Sequence, residues 1–197
     1  MRSTLLLLLA FVLFLPAAQA QATSDAPVFK ISTQDSSIRF SVKASVAIEG
    51  TFDKWEATVT FKSTAAEDGV LDIKIYADSV NTGSGMKNDK LKSKDFFNAK
   101  DDPYITFQSR KVVPTGPNTF SIPGTFTIRG VSKPETLALT VSRVGMRSGE
   151  IKGTMAFDRR DYGMNSGIPF IHIANRVEVD VDLHVTRVSG PPLNFKQ

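Results

Sequence analysis

The chain has no cysteine. It can form no disulfide, offer no thiolate to a metal and present no thiol nucleophile. Lipid attachment through a cysteine at a cleavage site is excluded as well. An exported domain without disulfides must hold together by packing and strand pairing alone. Histidine is almost as scarce, with two in 197 residues. His184 alternates with the apolar positions of the last strand and is expected to face solvent; His172 stands between Ile171 and Ile173 after a loop. There is no G-x-S-x-G elbow, no H-E-x-x-H pair and no phosphate loop. Asp158 and Asp161 stand beside Arg159 and Arg160. Adjacent arginines hold carboxylates ionised, which does not suit the protonated acid of a glycosidase pair. The chain is therefore read as a non-enzyme, with no catalytic residue and no metal site assigned.

Long apolar runs are missing after the N-terminus. Leu5 to Leu15 is an unbroken run of eleven residues, too short to span a bilayer as a helix. Arg2 precedes it, Pro16 breaks it, and Ala18-Gln19-Ala20 puts small residues where a signal peptidase cuts. Residues 1–20 are expected to be a signal peptide, and residues 21–197 one exported, soluble domain that is not a lipoprotein. The formal charge is +4 and scattered. A nucleic-acid binder would carry a basic stripe interleaved with aromatics, so nucleic acid is not an expected partner. Transient contact with anionic lipid head groups is compatible with this charge.

What the chain does have is alternation. Neighbouring side chains of a strand face opposite sides of the sheet. Ile38, Phe40 and Val42 alternate with Arg39, Ser41 and Lys43, and Trp55, Ala57, Val59 and Phe61 with Glu56, Thr58, Thr60 and Lys62. Similar runs cover Leu71–Ala77, Tyr104–Gln108, Phe120–Ile128, Leu137–Ser142, Ile151–Phe157 and Val177–Thr186. These amount to about eight strands with one apolar and one polar face, the pattern of antiparallel sheets. Turn signals such as Glu67-Asp68-Gly69 separate them. Many such strands predict a sandwich or a barrel, and closure removes exposed edges. Pro123-Gly124 falls within one strand and predicts an edge or a bulge.

Two stretches break the rhythm. Ser84–Asn98 has no alternation and predicts one or two short helices; Tyr162–Ala174 reads as a long loop. The tail after Arg187, with Gly190-Pro191-Pro192, is expected to be loose.

A barrel interior is filled by side chains or by a ligand. The inward positions here are Phe, Ile, Leu, Val and Met, so a ligand would be long and apolar. Burial of hydrocarbon contributes roughly 0.8 kcal/mol per methylene. A packed core uses the same face, and periodicity does not separate the two.

Several segments carry a more specific signal. Asp78-Ser79-Val80-Asn81-Thr82-Gly83, Leu91–Asn98 (LKSKDFFN), Tyr104–Ser109 (YITFQS), Thr127–Pro134 (TIRGVSKP) and Arg159-Arg160-Asp161-Tyr162-Gly163 occur in that order. Together they resemble the YceI-like family, over roughly residues 27–188. That resemblance implies a periplasmic protein with an extended, lipocalin-like antiparallel barrel that binds an isoprenoid lipid, either a polyprenyl chain or an isoprenoid quinone, and needs no other cofactor. It implies Phe40, Val42, Phe61, Ile73, Ile75, Phe107, Phe126, Leu139, Met155, Phe157 and Val179 as tunnel lining, with Phe96 and Phe97 closing one end. Asn81, Arg129, Arg159 and Asp161 would meet a polar head group at the mouth or, in the structural alternative, make turn bonds and strand-end salt bridges. The chain departs from the family's R-D-x-H stretch, with Lys87, Asn88 and Lys90 in those places, and has Ala44 where a histidine is usual. The alternative is a structural or stress-protective interaction protein with a side-chain-filled barrel. The oligomeric state is left open, a dimer included.

Overall fold

The computed structural model describes residues 26–45, 47–143, 145–167 and 172–195. The expected signal peptide, residues 1–20, lies outside them. In chain order the elements are β1 (Val28–Ala44), β2 (Ile48–Phe52), β3 (Trp55–Thr60), β4 (Val70–Tyr76), β5 (Val80–Asn81), α1 (Gly85–Lys92), β6 (Tyr104–Ser109), β7 (Val113–Gly116), β8 (Thr119–Ile128), β9 (Val131–Arg143), β10 (Ser148–Asp158) and β11 (Ile173–Ser189). Every alternating run of the sequence is a strand. The short β2, β5 and β7 are additions.

The strands form one strongly curled antiparallel sheet in the order β3-β4-β6-β8-β9-β10-β11-β1-β2-β5, with β7 beside β8. The circuit closes through the covalent chain. β2 and β3 are halves of one segment bent at Asp53–Lys54; β2 pairs with β1 and β3 with β4. Counting that segment once, and leaving aside the two-residue β5 and the off-path β7, gives eight staves. Ser79 fixes the bend: its hydroxyl accepts from Lys54 N at 3.0 Å and donates to the Tyr76 carbonyl at 2.7 Å, while its own carbonyl accepts from Asp53 N at 3.0 Å. The inward faces form one hydrophobic core.

Two expectations need correction. Pro123 marks neither an edge nor a bulge: β8 is interior, and Pro123 pairs with Thr136 in unbroken register. On its other side β8 meets β6 at Gly124–Thr127 and β7 at Thr119–Ser121. The Pro123 carbonyl accepts from Arg110 N at 2.9 Å on that side, so the missing N–H falls in the gap between partners, where no ladder bond is lost. The tail is not loose either. Asn194 N donates to the Thr64 carbonyl at 2.8 Å, its side chain to Thr64 Oγ1 at 3.1 Å, and Phe195 packs on Phe120 with ring centroids 6.0 Å apart.

The predicted helical stretch is α1 followed by turns. Asn88 keeps its helical bond to the Ser84 carbonyl, while its side-chain oxygen accepts from Thr82 N and Oγ1, at 2.9 and 2.8 Å. Ser93 ends α1, its hydroxyl donating to the Lys90 carbonyl at 2.7 Å. The β8–β9 hairpin turns at Arg129 and Gly130, both left-handed, with φ of 55° and 70°, the two positive dihedrals a tight primed turn requires.

Candidate functional site

The inward side chains do not fill the barrel. A chamber of about 510 Å³ lies at the end capped by α1, and a smaller one of about 170 Å³ at the opposite end. Among the described residues none lines both. Successive inward positions on a strand fall in different layers. On β4, Leu71 lines the far chamber, Ile75 the near one, and Ile73 between them lines neither. On β8, Ile122 is far, Phe126 near and Gly124 between; on β11, Val185 is far, Val179 near, and Val181 and Leu183 between. The between-layer is a packed floor, with Leu137 at 1% and Leu183 at 0% exposure.

The near chamber is within the roughly 300–1,000 Å³ usual for small-molecule sites. Its walls are almost wholly apolar. Water is a poor filling, since a buried water needs two to four polar partners.

Two aromatic groups stiffen these walls. Phe40, Phe52 and Phe97 have centroids 5.6–6.2 Å apart. Phe126 and Phe157 face Tyr162 at 5.4 and 5.2 Å. Tyr162 is fully buried, and its hydroxyl donates to Glu135 Oε1 at 3.0 Å. Burial first, and that carboxylate second, push the hydroxyl's pKa well above its ordinary value.

Arg159 is the one buried charged residue among those described. It lines the near chamber. Its Nε donates to the Ala174 carbonyl at 3.2 Å, and Nη1 to the Met164 carbonyl and, at 3.0 Å, to that of Ser166. The cation thus holds the irregular chain after β10 against β11. Desolvation lowers its pKa, but a guanidinium stays charged. The rim is basic: Lys87 and Lys90 line it from α1, and Met86 beside them is 85% exposed. Lys90 also meets Asp95 at 2.5 Å.

Of the residues the resemblance implied, Phe40, Val42, Ile75, Phe96, Phe97, Phe126, Phe157, Val179 and Arg159 gather around this chamber. Phe61 and Leu139 line the far one. Ile73, Phe107 and Met155 are buried in the floor between, on neither wall. Three expected mouth residues do not line the chamber. Asn81 serves a turn, donating to Asp53 Oδ2 at 2.9 Å and accepting from Gly83 N at 3.0 Å. Arg129 braces two loops through the carbonyls of Gly163 and, at 2.8 Å, Lys94. Asp161 is exposed on a 3-10 turn. Polar groups in these motifs satisfy backbone atoms that tight turns leave unpaired.

Sequence reasoning missed Phe52, Met164 and Ile173 as lining residues. Phe52 sits on the unread β2, and Met164 inside the loop with no periodicity to mark it. His172 is exposed and touches Ser45 through its backbone. On the outer face Glu150, Asp182 and His184 bring ligand atoms within 4.8 Å of one another, but Lys152 occupies the same Glu150 oxygen at 3.2 Å. The strand-end pair at Asp158 is as expected: Arg160 donates to it at 3.2 Å and holds its carboxyl below the usual carboxylate range.

The segments quoted for the family resemblance meet at the α1 end of the barrel, around the larger chamber. A sequence model of the YceI-like domain matches residues 29–185. The chain belongs to the YceI-like domain family. Among relatives, the UPF0312 protein of Pseudomonas savastanoi pv. phaseolicola is 28% identical over 128 residues, which is 62% of this chain and 66% of that protein. That of Staphylococcus aureus is 28% identical over 70% of this chain and 82% of its own length. Among solved structures, Burkholderia cenocepacia BcnA is similar with a TM-score of 0.72 at 28% identity, over 79% of this chain and 99% of that one. A polyisoprenoid binding domain from Saccharophagus degradans has a TM-score of 0.64 at 18% identity, over 82% of this chain and 99% of that one; that likeness concerns the fold. The lipocalin-like barrel expected from the sequence is thus the fold of this family.

Proposed function

We propose that this YceI-like domain binds a long apolar isoprenoid lipid in the chamber under α1, to carry or sequester it in the periplasm, and that it is not an enzyme. The observation behind this reading is the chamber itself: about 510 Å³, apolar and preformed. The domain from Saccharophagus degradans with the same fold is a polyisoprenoid binding domain, and apolar walls suit that ligand class. Arg159, alone among the lining residues in being a buried cation, is the group proposed to orient a polar head such as a quinone carbonyl. Lys87, Lys90 and the exposed Met86 would let the rim touch an anionic membrane while the lipid passes.

A filled barrel is the weaker alternative, because side chains close only the floor. The two readings separate on adding a short-chain isoprenoid quinone to purified protein. A ligand at a hundred times its Kd stabilises the folded state by about 2.7 kcal/mol, which raises Tm by about 5–10 °C for a domain of this size. An unmoved Tm over the whole titration would reject the lipid reading.

A further inference from the structure

We infer that the floor of the near chamber sets the length of the chain it accepts, at about four isoprene units, with Phe107 as the stop. This rests on the lipid reading above and adds to it the size class of the ligand. A cavity of ~150 Å³ lined by similar side chains takes one benzene. The near chamber is about three times that volume, which gives room for roughly 15–20 carbons on the same scale. Below it the barrel is shut. Phe107 is 4% exposed and lies across Gly124: a Cβ there would stand 2.5 Å from the end of its ring. Leu139 and Leu137 lie over Gly153 in the same way, at 2.6 and 3.2 Å from the position of a Cβ. Two strands of the floor thus carry no side chain where a neighbour's large side chain crosses. Glycine at these positions lets Phe107 and Leu137 lie flat across the lumen. A second volume, about 170 Å³, is beyond that barrier.

A longer chain must leave its end outside the rim or displace Phe107. Each added unit therefore tightens binding only until the chamber is full. The test is a length series of prenyl alcohols (geraniol, farnesol, geranylgeraniol and solanesol) presented to the mature protein in mixed micelles. For the native chain, affinity should rise by at least about tenfold per unit as five more carbons are buried and stop rising at geranylgeraniol. Phe107→Ala opens the floor, so its affinity for solanesol should exceed that for geranylgeraniol by about tenfold on the same basis. Leu137→Ala, also in the floor, should act in the same direction and stands in if the first variant does not fold. Native protein that prefers solanesol, or floor variants with an unchanged preference, overturns the stop while leaving lipid binding intact. Failure of every alcohol to bind rejects both.

Discussion

The two ends of the barrel use the same residue types and differ in how they are finished. At the α1 end a short helix, two turns and Arg159 hold a wide chamber open beneath a basic rim. At the other end the tail crosses the opening, and Phe195 closes on Phe120 over a volume one third as large. The family-like segments gather at the first end, with Tyr104–Ser109 running from it into the floor at Phe107; the tail, the β7 hairpin and the turn before β10 belong to the second. Apolar lining is thus common to both, and what separates a binding chamber from a closed end is the polar and irregular framework around it.

A matched pair of charges breaks this comparison most sharply. Val179 and Val141 are both half-buried valines, lining the near and far chambers respectively. Val179→Asp places a carboxylate against the proposed lipid and should weaken isoprenoid binding by on the order of a hundredfold or more. Val141→Asp should leave binding within about threefold, since it meets no ligand. Fluorescence or micelle-transfer titration of both folded variants decides it; equal losses would mean that the ends are not distinct.

Arg159→Leu should be the costliest for stability. It strips donors from three carbonyls, two of them confined near the chamber wall. Each buried acceptor left unpaired costs ~1–3 kcal/mol, so Tm should fall by roughly 8–15 °C at 2–4 °C per kcal/mol. A fall of only a degree or two would show that the carbonyls find water instead. Truncation after Gly190 removes the far closure alone. It should lower Tm by a few degrees, roughly 3–6 °C, and leave isoprenoid affinity unchanged; a parallel loss of affinity would couple the two ends.

The smallest effect concerns Tyr162. Tyr162→Phe loses one hydrogen bond, about 1 kcal/mol, and should not alter binding. It should also flatten the alkaline limb of stability. The folded-state pKa of Tyr162 is raised above its unfolded value, so its contribution is full below about pH 10 and is lost as pH rises beyond that. An unchanged alkaline limb in the variant would assign it to other groups.

The staves were legible because alternation marks one wet and one buried face. Phe40, Val42 and Val179 were legible as inward for the same reason. Depth was not. Ile73 and Ile75 have identical signatures, yet one is floor and the other chamber wall, because layer position depends on register between strands distant in sequence. Asn81 and Arg129 were ambiguous in another way: polar side chains in motif turns suit a head group or a turn bond, and here they bond turn backbone. The tail misled through its prolines, since Asn194 and Phe195 carry the contacts that pin it.

An isoprenoid in the near chamber should survive purification of the folded protein. The most direct measurement is organic extraction and mass spectrometry of native protein, Val179→Asp and Val141→Asp, each purified from a bacterial periplasm. One isoprenoid per chain is expected in the native protein and in Val141→Asp, and none in Val179→Asp. Empty extracts from all three, or lipid retained in folded Val179→Asp, would contradict it.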